Sequence, residues 1–207
     1  MQEKEKRIIA YHESGHTLVG NLLPFADPIY KVSIIPRGSA ALGYTLQLPL
    51  EDRYLATKSE LMDKLTVLLA GRASEELMFN EITTGAQNDL QQATSIARKM
   101  ICEYGMSEKL GPVSLAENHE VFLGRDFLKE KSYSEELAFD IDREIRRIIR
   151  DCYKRAMKIL EENKDKLIQL AEALEEKEIL GREEIERIIG KKISPNKDES
   201  QNIDRKG

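Results

Sequence analysis

Arg7-Ile8-Ile9-Ala10-Tyr11-His12-Glu13-Ser14-Gly15-His16-Thr17-Leu18-Val19-Gly20-Asn21-Leu22 is the stretch on which the fold turns. Apolar side chains at Ile8, Ile9, Tyr11, Leu18, Val19 and Leu22 recur at a broadly helical spacing. Asn21 and Pro24 close the pattern, so residues from about 3 to 22 are predicted as a helix. The period then changes. Ile29 to Pro36 and Leu42 to Leu48 are β-branched or alternating, with Arg37-Gly38-Ser39-Ala40 as the turn between them. In this hairpin Leu42, Tyr44, Leu46 and Leu48 share one face, and Gly43, Thr45 and Gln47 the other.

The rest of the chain reads as helices. Thr57-Lys58-Ser59-Glu60 fits a capping box ahead of a helix from about 58 to 78. Thr84-Gly85-Ala86-Gln87 offers the same device ahead of Asn88 to Tyr104, which ends near Gly105. Residues 106 to 131 are expected to be loops with a short strand at most. The longest helix is expected at about 134 to 163, with Leu137, Ile141, Ile145, Ile148, Ile149, Tyr153, Met157 and Leu160 on one face. Asn163-Lys164-Asp165 interrupts it, and Leu167 to Glu176 and Arg182 to Ile189 follow, punctuated by Gly181 and Gly190. Residues 191 to 207 are polar with two isolated Ile, too little apolar surface to offset ordering, and are expected to be a disordered tail. The fold class is therefore mainly α (α+β): one helical domain over residues 1–190 with a small β-hairpin or sheet.

Composition narrows the function. The 207 residues carry 32 Lys+Arg against 37 Asp+Glu, a net charge of −5, which disfavours a nucleic-acid partner because phosphates need a basic surface. No apolar run approaches the ~18 residues that cross a bilayer. Residues Met1 to Arg7 lack the hydrophobic stretch of a signal peptide. Cys102 and Cys152 have neither zinc-knuckle spacing nor the density of a disulfide scaffold, and read as buried thiols in a reducing compartment.

The chemistry sits in His12-Glu13-Ser14-Gly15-His16. Residues four apart on a helix differ by about 40° and one turn of rise, so both imidazoles can reach one metal ion. Glu13, about 100° from His12, can hold the metal-bound water without ligating the ion. This division of labour suits zinc, which needs neutral nitrogen ligands, an open position for water and a nearby carboxylate to take the proton during attack on a carbonyl. It is the zincin signature. A third protein ligand is required. Val19 and Leu22 stand where the metzincin continuation demands Gly and His, leaving His119, Glu75, Glu76 and Asp89 as candidates. Asp89 lies just inside a predicted helix start, where the macrodipole favours an ionised carboxylate.

Five segments, in order, carry a resemblance: Tyr11 to His16, Leu42-Gly43-Tyr44-Thr45, Leu69-Ala70-Gly71-Arg72-Ala73-Ser74-Glu75-Glu76, Thr84-Gly85-Ala86-Gln87-Asn88-Asp89-Leu90, and Gly105 to Pro112. Over residues 7 to 190 the chain resembles the peptidase domain of FtsH-type ATP-dependent zinc metalloproteases. The resemblance implies one Zn2+ held by His12, His16 and Asp89, with Glu13 as general base and Glu75 orienting an imidazole from behind. His119 matches no functional position. Ser14 stands where the motif more usually has Ala.

Further expectations follow from the resemblance. An AAA ATPase module and membrane helices would precede this domain in an intact protein. The start six residues before the first apolar pattern reads as a fragment. The intact protein would be a homo-hexamer on the cytoplasmic side of the bacterial inner membrane, or its organellar equivalent, cleaving unfolded or membrane-extracted polypeptides. No Gly-x-x-x-x-Gly-Lys-Ser/Thr occurs, so ATP is not expected to bind here. The strand around Gly43, Tyr44 and Thr45 is expected either to dock substrate along its edge or to cap the core with Tyr44 and Leu46. The rival readings are a non-catalytic helical oligomerisation or adaptor domain with a degenerate motif, and a zinc hydrolase of non-peptide substrates.

Overall fold

The computed structural model describes residues 2–36, 43–47, 55–115 and 133–193. Helix α1 (Glu3–Leu22) runs through the middle of the molecule, with Ile9 to Asn21 all buried. Its polar residues are therefore enclosed by other elements rather than presented to solvent, and all but Ser14 find a hydrogen-bond partner there. Helix α2 (Lys58–Phe79) starts on the expected capping box: the Glu60 N–H donates to Thr57 Oγ1, and Thr57 N–H donates back to Glu60 Oε2 at 2.6 Å.

The crossing of these two helices is close because the residues between them are small. A Cβ on Gly15 would lie 2.6 Å from the Ala70 carbonyl oxygen and 2.7 Å from Ser74 Cβ. Ser74 Oγ donates to the Tyr11 carbonyl at 2.7 Å and ties the pair together.

Helix α3 (Gln87–Cys102) follows a short 3-10 turn (Thr84–Ala86). Here the expected cap at Thr84 is replaced by one at Thr83, whose hydroxyl accepts from the Gly85 N–H at 3.1 Å. The helix itself starts at Gln87, one residue before the expected Asn88. Gly105 is in the left-handed region (φ 60°), as a helix C-terminal signal requires.

Helix α4 (Glu135–Glu162) is capped by Ser134, and α5 (Lys164–Lys177) follows after Asn163. Helix α5 begins three residues earlier than its first apolar side chain at Leu167, because Lys164, Asp165 and Lys166 form a polar first turn that periodicity does not register. Helix α6 (Arg182–Ile189) matches expectation.

Three strands form the sheet: β1 (Ile29–Ser33), β2 (Tyr44–Gln47) and β3 (Ile179–Gly181), in the order β2-β1-β3, all antiparallel. Val32 pairs with Thr45 on one side and Leu180 on the other. Strand β3 was not expected. It is only three residues long and ends in Gly181, so it has no alternation to read. Among the described residues β2 lies at one side of the sheet and pairs with β1. The turn at 37–40, Leu42 and Leu48 lie outside the described residues.

Of the two residues in the core-capping alternative, Tyr44 is partly buried and Leu46 does not cap the core. It is 39% exposed, while Thr45 reaches α1, so the polar face of β2 packs inward and the apolar one faces out at this position. The reason is that α1 presents a buried carboxylate there, which calls for a hydroxyl and not a methyl surface.

Two apolar clusters share α2 as a common wall. Leu18, Val32, Leu160, Leu167, Leu170, Leu174, Leu180 and Ile185 gather with Val67, Ala70 and Ala73 on one side. Leu65 and Leu69 face Ala93, Ala97, Met100, Ile141, Ile145, Ile148 and Cys152 on the other. Cys102 and Cys152 are buried thiols that form no disulfide with each other. From the stretch expected as a tail, Lys192 donates to the Leu23 carbonyl and the Ile193 N–H to the Asn21 carbonyl, tying 191–193 back to α1. Residues 194–207 lie outside the described residues. No helix among the described residues is long and apolar enough to cross a membrane.

Candidate metal centre

His12 and His16, one turn apart on α1, bring their Nε2 atoms within 3.0 Å of each other. Asp89 enters from the first turn of α3, with Oδ2 3.2 Å from His12 Nε2 and 3.4 Å from His16 Nε2. These are the three residues the sequence motifs bring forward, now in one place across 77 residues of chain.

The back of each ring determines what the front can do. His16 Nδ1 lies 2.7 Å from the Val67 carbonyl, which can only accept, so Nδ1 carries the proton. His12 Nδ1 lies 2.6 Å from Glu75 Oε1 and donates likewise. In the neutral rings both Nε2 lone pairs therefore face one another and a carboxylate oxygen. Three electron-rich atoms in such a triangle are stable only around a cation. In tetrahedral coordination at 2.0–2.1 Å, neighbouring donors are ~3.3 Å apart, which the three observed separations match. The donor set fits zinc, and these residues could hold one ion.

Helix α2 makes room for it. A Cβ on Gly71 would lie 2.5 Å from His16 Nε2 and 2.6 Å from His12 Nε2, so only glycine lets α2 pass beneath the imidazoles. Sequence reasoning assigned Gly71 no role. A glycine in a helix interior costs ~1 kcal/mol against Ala, and that unexplained cost is the signal that could have singled it out.

Electrostatics agree with a site for a cation. Burial works against charge on His12, yet hydrogen bonds with Asp89 and Glu75 and the field of Glu13 prevail and raise it to about 10. Burial also pushes the Asp89 carboxyl up, but hydrogen bonds from His12 and His16 outweigh it and hold the group well below the usual carboxylate range. Glu75 behaves alike: burial is overcome by His12 and by the Thr83 N–H, which donates to Oε2 at 2.8 Å. A proton and a cation thus compete for the same position.

Glu13, 7% exposed, is held by Thr45, whose hydroxyl donates to Oε2 at 2.8 Å. Gly43 lies against the same carboxylate: a Cβ there would be 2.8 Å from Oε1. Tyr44, between them, is partly buried on β2. Of the other candidate ligands, Glu76 turns away to accept from the Tyr153 hydroxyl, and Glu75 stands behind His12 rather than in the triangle. His119 lies outside the described residues.

A buried helix bearing His-Glu-x-x-His, a carboxylate from a second helix and a sheet edge alongside define a metallopeptidase domain of mainly helical build. Residues 1–188 match peptidase family M41, and the chain belongs to that family. It is 54% identical over 187 residues to the ATP-dependent zinc metalloprotease FtsH of Pseudothermotoga lettingae, covering 90% of this chain and 30% of that protein. It is 56% identical over 190 residues to ATP-dependent zinc metalloprotease FtsH 1 of Thermoanaerobacter sp., covering 91% of this chain and 31% of that protein. With the Bacillus subtilis FtsH it shares 50% identity over 211 residues, covering 100% and 33% respectively. The chain spans about a third of the length of these curated relatives.

Proposed function

We propose that this domain is a zinc-dependent endopeptidase in which His12, His16 and Asp89 bind the metal, Glu13 is the general base and Glu75 fixes the His12 ring. The donor triangle with Glu13 beside it carries this reading. Zinc, when bound, supplies a Lewis acid that polarises the scissile carbonyl and makes water acidic enough to react near neutral pH. Glu13 accepts a proton from the attacking water and passes it to the departing amine, so that one carboxylate serves both halves of the hydrolysis. Glu75 and the Val67 carbonyl keep the imidazoles in the tautomer that leaves Nε2 free.

The edge of β2 turned away from β1 docks the substrate as an added strand, where main-chain hydrogen bonds give affinity largely independent of sequence. Such binding suits unfolded or membrane-extracted polypeptides. With no phosphate-binding loop in this sequence, ATP is handled by a separate AAA module of the longer protein, which delivers substrate to a homo-hexamer of these domains at the cytoplasmic side of a bacterial inner membrane or its organellar equivalent. The names of the relatives support the ATP dependence and the zinc. The adaptor reading is disfavoured because Glu13 is present and held in place, which a non-catalytic module does not need.

Metal analysis and cleavage of casein or a flexible peptide test the reading. The parent is expected to hold one zinc per chain and to cleave. Glu13→Gln is expected to keep the metal and lose at least ~100-fold in rate. A folded parent that neither takes up zinc nor cleaves peptides overturns it. For the docking edge, Leu46→Pro in protein with an unchanged melting profile should raise KM; an unaltered KM rejects the edge.

A further inference from the structure

We infer that Thr45 is a positioning residue for Glu13, its hydroxyl fixing the carboxylate in the orientation from which it accepts a proton. The inference rests on the endopeptidase reading above.

Glu13 has three side-chain torsions, and nothing in its own helix fixes the last two. Strand β2 does. Thr45 Oγ1 lies 2.8 Å from Glu13 Oε2 and 3.4 Å from the Glu13 carbonyl oxygen. A hydroxyl has one proton to give, and the carboxylate is both the nearer and the stronger acceptor. Thr17 Oγ1, at 3.5 Å, stands behind the Thr45 hydroxyl.

Gly43 completes the arrangement two residues earlier. The space where its Cβ would sit is bounded by Glu13 Oε1 at 2.8 Å, Glu13 Cγ at 2.9 Å and the Ser33 carbonyl at 3.0 Å. One position of the strand thus donates to one carboxylate oxygen, and the other leaves room for its mate. Because Thr45 is paired with Val32 on the central strand, the hydroxyl is anchored to the sheet and not to a loop. Strand β2 therefore sets the aim of the base.

Thr45→Val keeps the shape and removes the hydroxyl; Thr45→Ser keeps the hydroxyl. For the zinc-loaded protein, Thr45→Val is expected to lower kcat ~10- to 100-fold, the range for a hydrogen bond to a charged group, with KM and zinc content unchanged. Thr45→Ser is expected to restore most of the rate, and Thr45→Val is expected to change little in a Glu13→Gln background. Full activity of Thr45→Val overturns the inference. So does a rise in KM alone, which would make Thr45 a substrate contact, or equal loss in the Ser and Val variants, which would make it a packing residue. A parent without zinc-dependent cleavage sinks the endopeptidase reading instead. The crystal structure of Thr45→Val then still judges the positioning: a Glu13 carboxylate unmoved from its place rejects it, and a displaced one supports it.

Discussion

Each histidine of the proposed metal site has its own support. Glu75 touches His12 from behind, so Glu75→Gln should leave a metal site of weakened affinity, ~10- to 100-fold in zinc Kd by chelator competition. Asp89→Ala removes one corner of the triangle and should cost more than Glu75→Gln in the same assay. If the order were reversed, Glu75 and not Asp89 would be the third ligand. Ser14 is a different case. Its hydroxyl is fully buried and finds no partner among the described residues. An unpaired buried hydroxyl costs ~1–3 kcal/mol, so Ser14→Ala should raise the unfolding free energy by about 1 kcal/mol in urea titration without altering zinc content.

Between elements, the decisive feature is how near α1 and α2 approach. Ala in place of a helical Gly gains ~1 kcal/mol of intrinsic propensity, so any net loss measures the clash. Gly15→Ala drives its methyl against the Ala70 backbone carbonyl, which cannot turn aside as a flexible side chain would. A net destabilisation of about 1–2 kcal/mol is expected by urea titration. Gly71→Ala pushes instead on the imidazoles. It should abolish stoichiometric zinc binding while circular dichroism still reports a helical protein. Retained zinc in Gly71→Ala would mean that the rings can yield without opening the triangle.

The elements differ in how readable they were. Helix α2 was legible from its capping box, and α1 and α4 from their long apolar periods. The start of α3 at Gln87 agrees with the expected Asn88 to within one residue, but the capping hydroxyl is that of Thr83, not Thr84, because Thr83 is the one in reach of Gly85 N–H. Strand β3 had no local signal at all, since three residues are held as a strand only by pairing with β1.

At the scale of the whole molecule, the connection after α3 is fastened to α4 through Glu144. This buried carboxylate accepts from Ser107 Oγ at 2.8 Å and from Arg147 Nε and Nη2 at 3.0 and 3.1 Å. Arg147 beside it, aided by Ser107, holds the Glu144 carboxyl below its ordinary range against the opposing effect of burial. As pH falls, the unfolded chain is therefore protonated first. The contribution is complete above the unfolded value of ~4.3 and is lost as pH drops through the lower folded value. Glu144→Gln should be less stable at pH 7, by about 1 kcal/mol since Arg147 can turn to water, and should narrow its gap to the parent as pH falls from 5 towards 3. Equal pH slopes for the two proteins in urea titration would exclude Glu144 as a source of acid sensitivity.

What the sequence determined by itself was encoded within a turn or two of helix: the His-Glu-x-x-His face, the capping box of α2, the apolar stripes and the mainly helical class. The third donor stayed open among His119, Glu75, Glu76 and Asp89 until a family resemblance favoured Asp89, because composition and spacing say nothing about which distant carboxylate arrives. Tertiary structure alone decided that Asp89 closes the triangle, that Glu76 turns to Tyr153, that Gly71 clears the floor and that Thr45 meets Glu13. The physical reason is range: periodicity and capping are set by neighbours a few residues away, whereas a donor set is assembled by the packing of helices and a strand far apart in the chain.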